Sequence, residues 1–73
     1  MGRQKEEPLF NQIEAARLER GLSRQQLADA VGVHYQTIGY LERGEYSPSL
    51  TLALRLAEVL GRGVEELFSV RQF

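Results

Sequence analysis

Apolar residues recur three or four positions apart in five stretches of the chain, which is the spacing of an α-helix that buries one face. The pattern predicts helices over residues 11–20, 24–31, 34–43, 50–60 and 64–68. Glycine follows each of the first four, where a left-handed residue most easily ends a helix. These glycines are Gly21, Gly32, Gly44 and Gly61. An all-α fold of five helices is therefore expected.

Residues suited to capping stand at several predicted helix starts. Asn11 and Ser49 precede the first and fourth helices, and their side-chain oxygens can accept a free backbone N–H. Ser23 and Gln26 have the spacing of a capping box, in which each side chain satisfies a backbone N–H of the other residue. The second helix is therefore predicted to begin at about Arg24.

The predicted third helix has one buried side and one polar side. If Ile38 and Leu41 point into the core, a rotation of about 100° per residue turns a second set of residues outward. This set is Tyr35, Gln36, Gly39 and Tyr40. Glycine inside a helix costs about 1 kcal/mol relative to alanine. Gly39 either permits close approach of another molecule or is neutral at an exposed site.

Composition narrows the class of protein. The 73 residues can form one small domain, and the absence of cysteine excludes disulfides and cysteine-based metal sites. The chain shows neither a signal peptide nor an apolar run near the roughly 20 residues that span a bilayer, so a cytoplasmic protein without a membrane partner is expected. The net charge of −1 counts against a basic nucleic-acid-binding surface. A dimer can nevertheless bind DNA through a local positive face.

The domain is expected to span residues 9–69, with a short segment on each side. Residues 1–8 mix charges of both signs with glycine and proline, which favours a flexible tail over a basic arm that reaches DNA. Residues 70–73 form a C-terminal tail that carries two apolar residues and is a candidate part of a dimer interface.

The central stretch resembles the helix-turn-helix of the Xre family, which includes the phage repressors and Cro. The resemblance lies in the spacing of Leu27, Ala28, Val31, Gly32, Val33, Ile38 and Leu41, with LERGEYSPSL, LAEVLG and VEELF following in register. It extends from about residue 11 to residue 68. It implies a five-helix, lambda-repressor-like DNA-binding domain with the helix-turn-helix at helices 2 and 3. The implied function is a sequence-specific, repressor-like transcriptional regulator whose recognition helix, about 34–43, enters the major groove of double-stranded DNA.

The same resemblance implies which residues would contact DNA. Candidate base contacts are His34, Tyr35, Gln36, Gly39 and Tyr40. Gln36 is the best suited to direct readout, since a carboxamide can bond both N6 and N7 of adenine. Candidate phosphate contacts are Ser23, Arg24, Gln25, Thr37, Arg43 and Tyr46. His34 stands where the family usually has a capping Ser or Thr, and it can act as a poorer cap, contact DNA, respond to pH or do none of these.

A structural ion pair between Arg17 and Glu42 is also implied by the resemblance. In Xre-type domains an arginine of the first helix commonly bonds a glutamate at the end of the recognition helix, and both residues stand in register here. Such a pair would hold the recognition helix against the rest of the domain. The alternative is two solvated charges.

Helix 4 is apolar around most of its circumference, so it must be covered either by its own domain or by a partner. The C-terminal half has more apolar residues than so small a core is expected to bury. They are Leu52, Val59, Phe68, Val70 and Phe73. They predict a homodimer, which would bind a palindromic operator with half-sites about 10 bp apart.

An enzyme is not expected, because the chain has one histidine, no cysteine and no glycine-rich phosphate loop after a strand. No cofactor, metal site or small-molecule effector is indicated. A protein-binding module, such as an antitoxin or a regulatory subunit with the same fold, is the alternative. The acidic balance and the two outward tyrosines favour it, whereas Arg24, Gln25, Gln36 and Arg43 favour DNA.

Overall fold

Five helices and a two-stranded sheet make up residues 9–73, the part of the chain that the computed structural model describes. The helices are α1 (Ile13–Glu19), α2 (Arg24–Val31), α3 (Tyr35–Glu42), α4 (Leu50–Leu60) and α5 (Val64–Leu67). The strands are β1 (Phe10–Asn11) and β2 (Phe68–Ser69). The five-helix fold is confirmed. The predicted flexible tail over residues 1–8 lies outside the described residues.

The helix boundaries follow from local chemistry where a cap is present. The Ser23 hydroxyl accepts a hydrogen bond from the Gln26 amide N–H at 3.0 Å, and the Gln26 side chain accepts one from the Ser23 N–H at 2.8 Å. This capping box starts α2 at Arg24, as predicted. At the other end Gly32 takes a φ of +78°, which favours glycine and ends the helix.

The first helix begins two residues later than predicted. Asn11 lies in β1, where the chain is extended and pairs antiparallel with β2, and the N-cap position is Gln12. The Asn11 side chain still accepts a hydrogen bond from the Ile13 N–H, the first of the helix, at 3.0 Å, and it donates one to the Leu41 carbonyl at 2.8 Å. The sheet also ends α5 at Leu67, since Phe68 must be extended to pair with Asn11. The sheet therefore ties both ends of the domain to the end of α3.

The core lies where α2 packs against α3 and α4. Its buried members come from all five helices: Ile13, Ala16, Leu27, Ala28, Val31, Ile38, Leu41, Leu52, Leu56, Leu60 and Leu67. Within residues 9–73 no helix is both long and apolar enough to span a bilayer.

The exposed apolar surface differs from the predicted one. Leu52 is only 8% exposed and belongs to the core, so its assignment to a dimer interface is wrong. Val59 and Phe68 pack against the core from its edge. The stripe of α4 that faces inward runs through Leu52, Ala53, Leu56 and Leu60, which turns Leu50 and Leu54 outward. Leu50, Leu54, Val70 and Phe73 are all more than half exposed.

Candidate nucleic-acid interface

The second and third helices form a helix-turn-helix. The turn between them is held by the Ala28 carbonyl, which accepts from the N–H groups of Gly32 at 2.8 Å and Val33 at 3.0 Å. Ile38 and Leu41 lie on the buried side of α3. One side of α3 is therefore fixed in the core, and the opposite side is presented as a rigid surface.

The outward side of α3 carries polar and aromatic side chains around a shallow depression of about 210 Å³. We call this surface the α3 face; it consists of Arg24, Tyr35, Gln36, Gly39, Tyr40 and Arg43. The tyrosines are 46% exposed, and the Gln36 carboxamide has no hydrogen-bond partner among residues 9–73. The face thus offers a free donor and acceptor pair next to two aromatic rings.

Gly39 lies on this face but is buried, contrary to the prediction of an open position. The Arg43 side chain, from the residue that follows α3, lies over it: a Cβ at residue 39 would be 3.3 Å from Nη1 of Arg43. The same guanidinium lies over the Tyr40 ring, with Cζ at 5.2 Å from the ring centroid. The structure thus places Arg43, a candidate phosphate contact, on the α3 face.

His34 is the N-cap of α3. Its Nδ1 accepts a hydrogen bond from the Gln36 N–H at 3.2 Å, and its ring stacks on Tyr35 with centroids 5.0 Å apart. This bond requires Nδ1 to be unprotonated. The imidazole therefore caps α3 in place of the serine or threonine that is usual in the family.

A buried carboxylate joins α3 to α1 and α2. The Glu42 side chain is 2% exposed and accepts from Arg17 Nε at 2.6 Å, Arg17 Nη2 at 3.4 Å and Arg24 Nε at 2.8 Å. Arg17 is itself buried and donates from Nη1 to the Leu22 carbonyl at 2.9 Å. The structure thus brings Arg17 and Glu42 together and adds Arg24 as a second partner, which sequence reasoning missed.

Arg24 links this ion pair to the α3 face. Its hydrogen bond to Glu42, together with the attraction of that carboxylate, raises the pKa of the Arg24 guanidinium. A second carboxylate, that of Glu14, lies 3.7 Å from Arg24 Nη2. The side chain is 44% exposed, so its outer edge remains open to solvent.

The other predicted phosphate contacts are spread around α2 and α3. The Ser23 hydroxyl is used in the capping box, and the Gln25 carboxamide donates to Asp29 at 2.9 Å. Thr37 is half-buried. Tyr46 does not line the α3 face but a separate depression near the start of α4, together with Arg55.

Comparisons with known proteins agree with this geometry. The profile of the helix-turn-helix family matches residues 13–67. An uncharacterised helix-turn-helix-type transcriptional regulator of Methanothermobacter thermautotrophicus is 53% identical over 57 residues, which cover 77% of this chain and 83% of the relative. The regulator YgzD of Bacillus subtilis, also uncharacterised, is 36% identical over 80% of this chain and 88% of its own.

A solved structure is similar as well. The restriction-modification controller protein C.AhdI of Aeromonas hydrophila superposes with a TM-score of 0.70 at 33% identity, over 75% of this chain and 83% of that protein.

Proposed function

Because the chain belongs to the Xre-type helix-turn-helix family of transcriptional regulators, we propose that it binds double-stranded DNA in a sequence-specific manner as a repressor-like regulator. The observation that carries the proposal is the α3 face. A helix anchored in the core on one side presents an unpartnered Gln36 carboxamide and two tyrosines on the other. A rod of this width fits the major groove, where each base pair shows a distinct pattern of donors and acceptors.

Base readout is assigned to the start of α3. Gln36 donates to N7 and accepts from N6 of an adenine through its free carboxamide. Tyr35 and Tyr40 contact thymine methyl groups with their ring edges. His34 keeps its capping bond through Nδ1 and directs Nε2 outward to the DNA, and Gly39 lets the helix lie close to the base pairs.

Phosphate contacts are assigned to the start of α2 and the surrounding loops. The first turn of α2 directs free N–H groups outward, next to Ser23, Arg24 and Gln25, and helix N-termini favour anions. Thr37 and Tyr46 are assigned further phosphate contacts, with Tyr46 on the other side of the groove from the start of α2. Arg24 takes part through its exposed edge while Glu42 holds its inner edge, so the contact is pre-oriented.

Two copies of the chain are proposed to bind a palindromic operator with half-sites about 10 bp apart. Support comes from the leucines that α4 leaves uncovered, Leu50 at 72% and Leu54 at 54% exposure, and from Val70 and Phe73 in the tail. Burying such residues against a second copy would remove apolar surface from water, which favours association.

Selection of duplexes from a random library tests the proposal. The wild-type protein should enrich a two-fold-related sequence, and Gln36→Ala should relax the preference at one position of each half-site. Gln12→Ala, which removes the same carboxamide from the residue before α1, where the side chain makes no capping bond, is the matched control and should leave the selected sequence unchanged. No enrichment at low or physiological salt would contradict the proposal and favour a protein-binding module with Tyr35 and Tyr40 in its interface.

A further inference from the structure

Arg43 lies where a base reader is needed. Residues 36, 39, 40 and 43 follow the spacing of one helical stripe, and the guanidinium of Arg43 folds back along this stripe. Its Nη1 lies 3.3 Å, and its Cζ and Nη2 3.9 Å, from the position that a Cβ of Gly39 would take. We propose that Arg43 reads a guanine in the major groove and that Gly39 is the residue that makes room for it. This inference rests on the proposed function.

The three nitrogens of the Arg43 guanidinium differ in whether they have a partner, and this difference suits the proposed role. Nε lies 3.3 Å from a carboxylate oxygen of Glu45, whereas Nη1 and Nη2 have no hydrogen-bond partner among residues 9–73. The Tyr40 ring supports the guanidinium from one side at 5.2 Å. A group held by an ion pair and by an aromatic ring loses less conformational freedom on binding than a free side chain does. The donors of Nη1 and Nη2 are therefore not used by any of the residues that the structure describes.

Guanine is the base that matches those donors. It presents two acceptors, O6 and N7, at its major-groove edge, and a guanidinium can bond both at once. A phosphate contact would instead require the side chain to extend away from the stripe toward the DNA backbone. Gln36 and Gly39 are about 4.5 Å apart along the helix axis, so the guanine should lie one or two base pairs from the adenine that Gln36 reads.

Gly39 is explained by the same arrangement. A Cβ at residue 39 would lie 3.3 Å from Nη1, so the guanidinium would have to shift by a few tenths of an ångström. The close approach that Gly39 permits is therefore first of all the approach of Arg43, whose guanidinium lies next to Gly39 and over the Tyr40 ring. An alanine would push Nη1 outward and disturb the pairing with the base.

The first test compares two duplexes, the selected one and one with the proposed G·C pair replaced by A·T. Wild-type protein should prefer the first by about 5- to 150-fold, the usual range for a bidentate contact. Arg43→Lys keeps the charge but lacks the paired N–H donors of a guanidinium. The preference should therefore fall to about 1- to 2-fold, while the salt dependence of binding stays unchanged. Arg55→Lys, in a separate depression, is the matched control and should retain the wild-type preference.

A phosphate role would give a different result. Arg43→Lys would then keep the guanine preference, and Arg43→Ala would weaken both duplexes equally and lower the salt slope by about one. That outcome would overturn the inference but leave the proposed function standing. A wild-type protein that selects no duplex at all would overturn both.

A double-mutant cycle tests the part assigned to Gly39. Gly39→Ala should raise the melting temperature, because alanine favours the helix, and at the same time reduce the preference for the G·C duplex. In the Arg43→Lys background the same substitution should leave the small remaining preference unchanged. An equal reduction in both backgrounds would show that Gly39 does not act through Arg43.

Discussion

Replacing Glu42 with glutamine removes a buried charge that two arginines share. The carboxylate is 2% exposed and lies 2.6 Å from Arg17 Nε and 2.8 Å from Arg24 Nε. Glutamine has nearly the same shape and keeps one acceptor oxygen, but it carries no charge. Arg17, whose side chain is 8% exposed, is then left buried, and among residues 9–73 its remaining carboxylate partner is Glu14, at 3.9 Å.

The expected loss of stability follows from the burial of the two arginines. Removing one partner of a buried ion pair costs about 3 to 5 kcal/mol, because the other charge is left uncompensated. Arg24 is 44% exposed, so water screens its bond to Glu42 and this bond should contribute little to stability. Nearly all of the effect of Glu42→Gln should therefore come from Arg17. Such a loss is a large part of the total free energy of unfolding, which is about 5 to 15 kcal/mol in typical proteins.

Urea unfolding followed by far-ultraviolet circular dichroism measures how much free energy of unfolding Glu42→Gln loses. The control is Arg24→Gln, which removes the exposed partner of the same carboxylate. In thermal unfolding, Glu42→Gln should lower the midpoint by about 12 °C or more and Arg24→Gln by less than about 8 °C. High salt should diminish the effect of Arg24→Gln but not that of Glu42→Gln. If both variants lose less than about 1 kcal/mol, the pair is solvated and the reasoning is refuted.

Three further substitutions test separate parts of the account. Ser23→Ala removes one half of the capping box and should lower the free energy of unfolding by about 1 kcal/mol in the same urea experiment, whereas an unchanged midpoint would show that the cap is dispensable. Gly32→Ala forces a side chain into a φ of +78° and should destabilise the domain by about 1 to 2 kcal/mol, although no backbone atom crowds the new methyl group. Leu54→Lys, at an exposed position of α4, should shift sedimentation from dimer to monomer with little change in circular dichroism; a wild-type protein that is already monomeric at micromolar concentration would contradict the dimer.

Local signals made most of the fold predictable. The Ser23–Gln26 spacing placed the start of α2 correctly, and Gly32 and Gly61 marked the helix ends that the structure shows. These features act through neighbouring residues, so the sequence contains them directly. The two strands could not be predicted in this way, because two residues are too few to show alternation and their partners lie at opposite ends of the domain.

The misplaced interface residue and the position of Arg43 have physical reasons as well. α4 is apolar on most of its circumference, so the spacing of its apolar residues does not show which leucine faces inward. In the structure Leu52 is buried, whereas Leu50 and Leu54 are exposed. The direction of Arg43 depends on a rotamer chosen by contacts with Gly39, Tyr40 and Glu45. Such a choice depends on packing and not on spacing along the chain.

The most direct test of the central claim compares the affinity for the selected duplex with that for a scrambled duplex of the same length, by fluorescence anisotropy at physiological salt. Sequence-specific binding predicts that the selected duplex binds about 10³-fold tighter or more. It also predicts that both affinities fall as salt rises, because phosphate contacts release counterions. Equal affinity for the two duplexes, or no binding to either, would contradict the account.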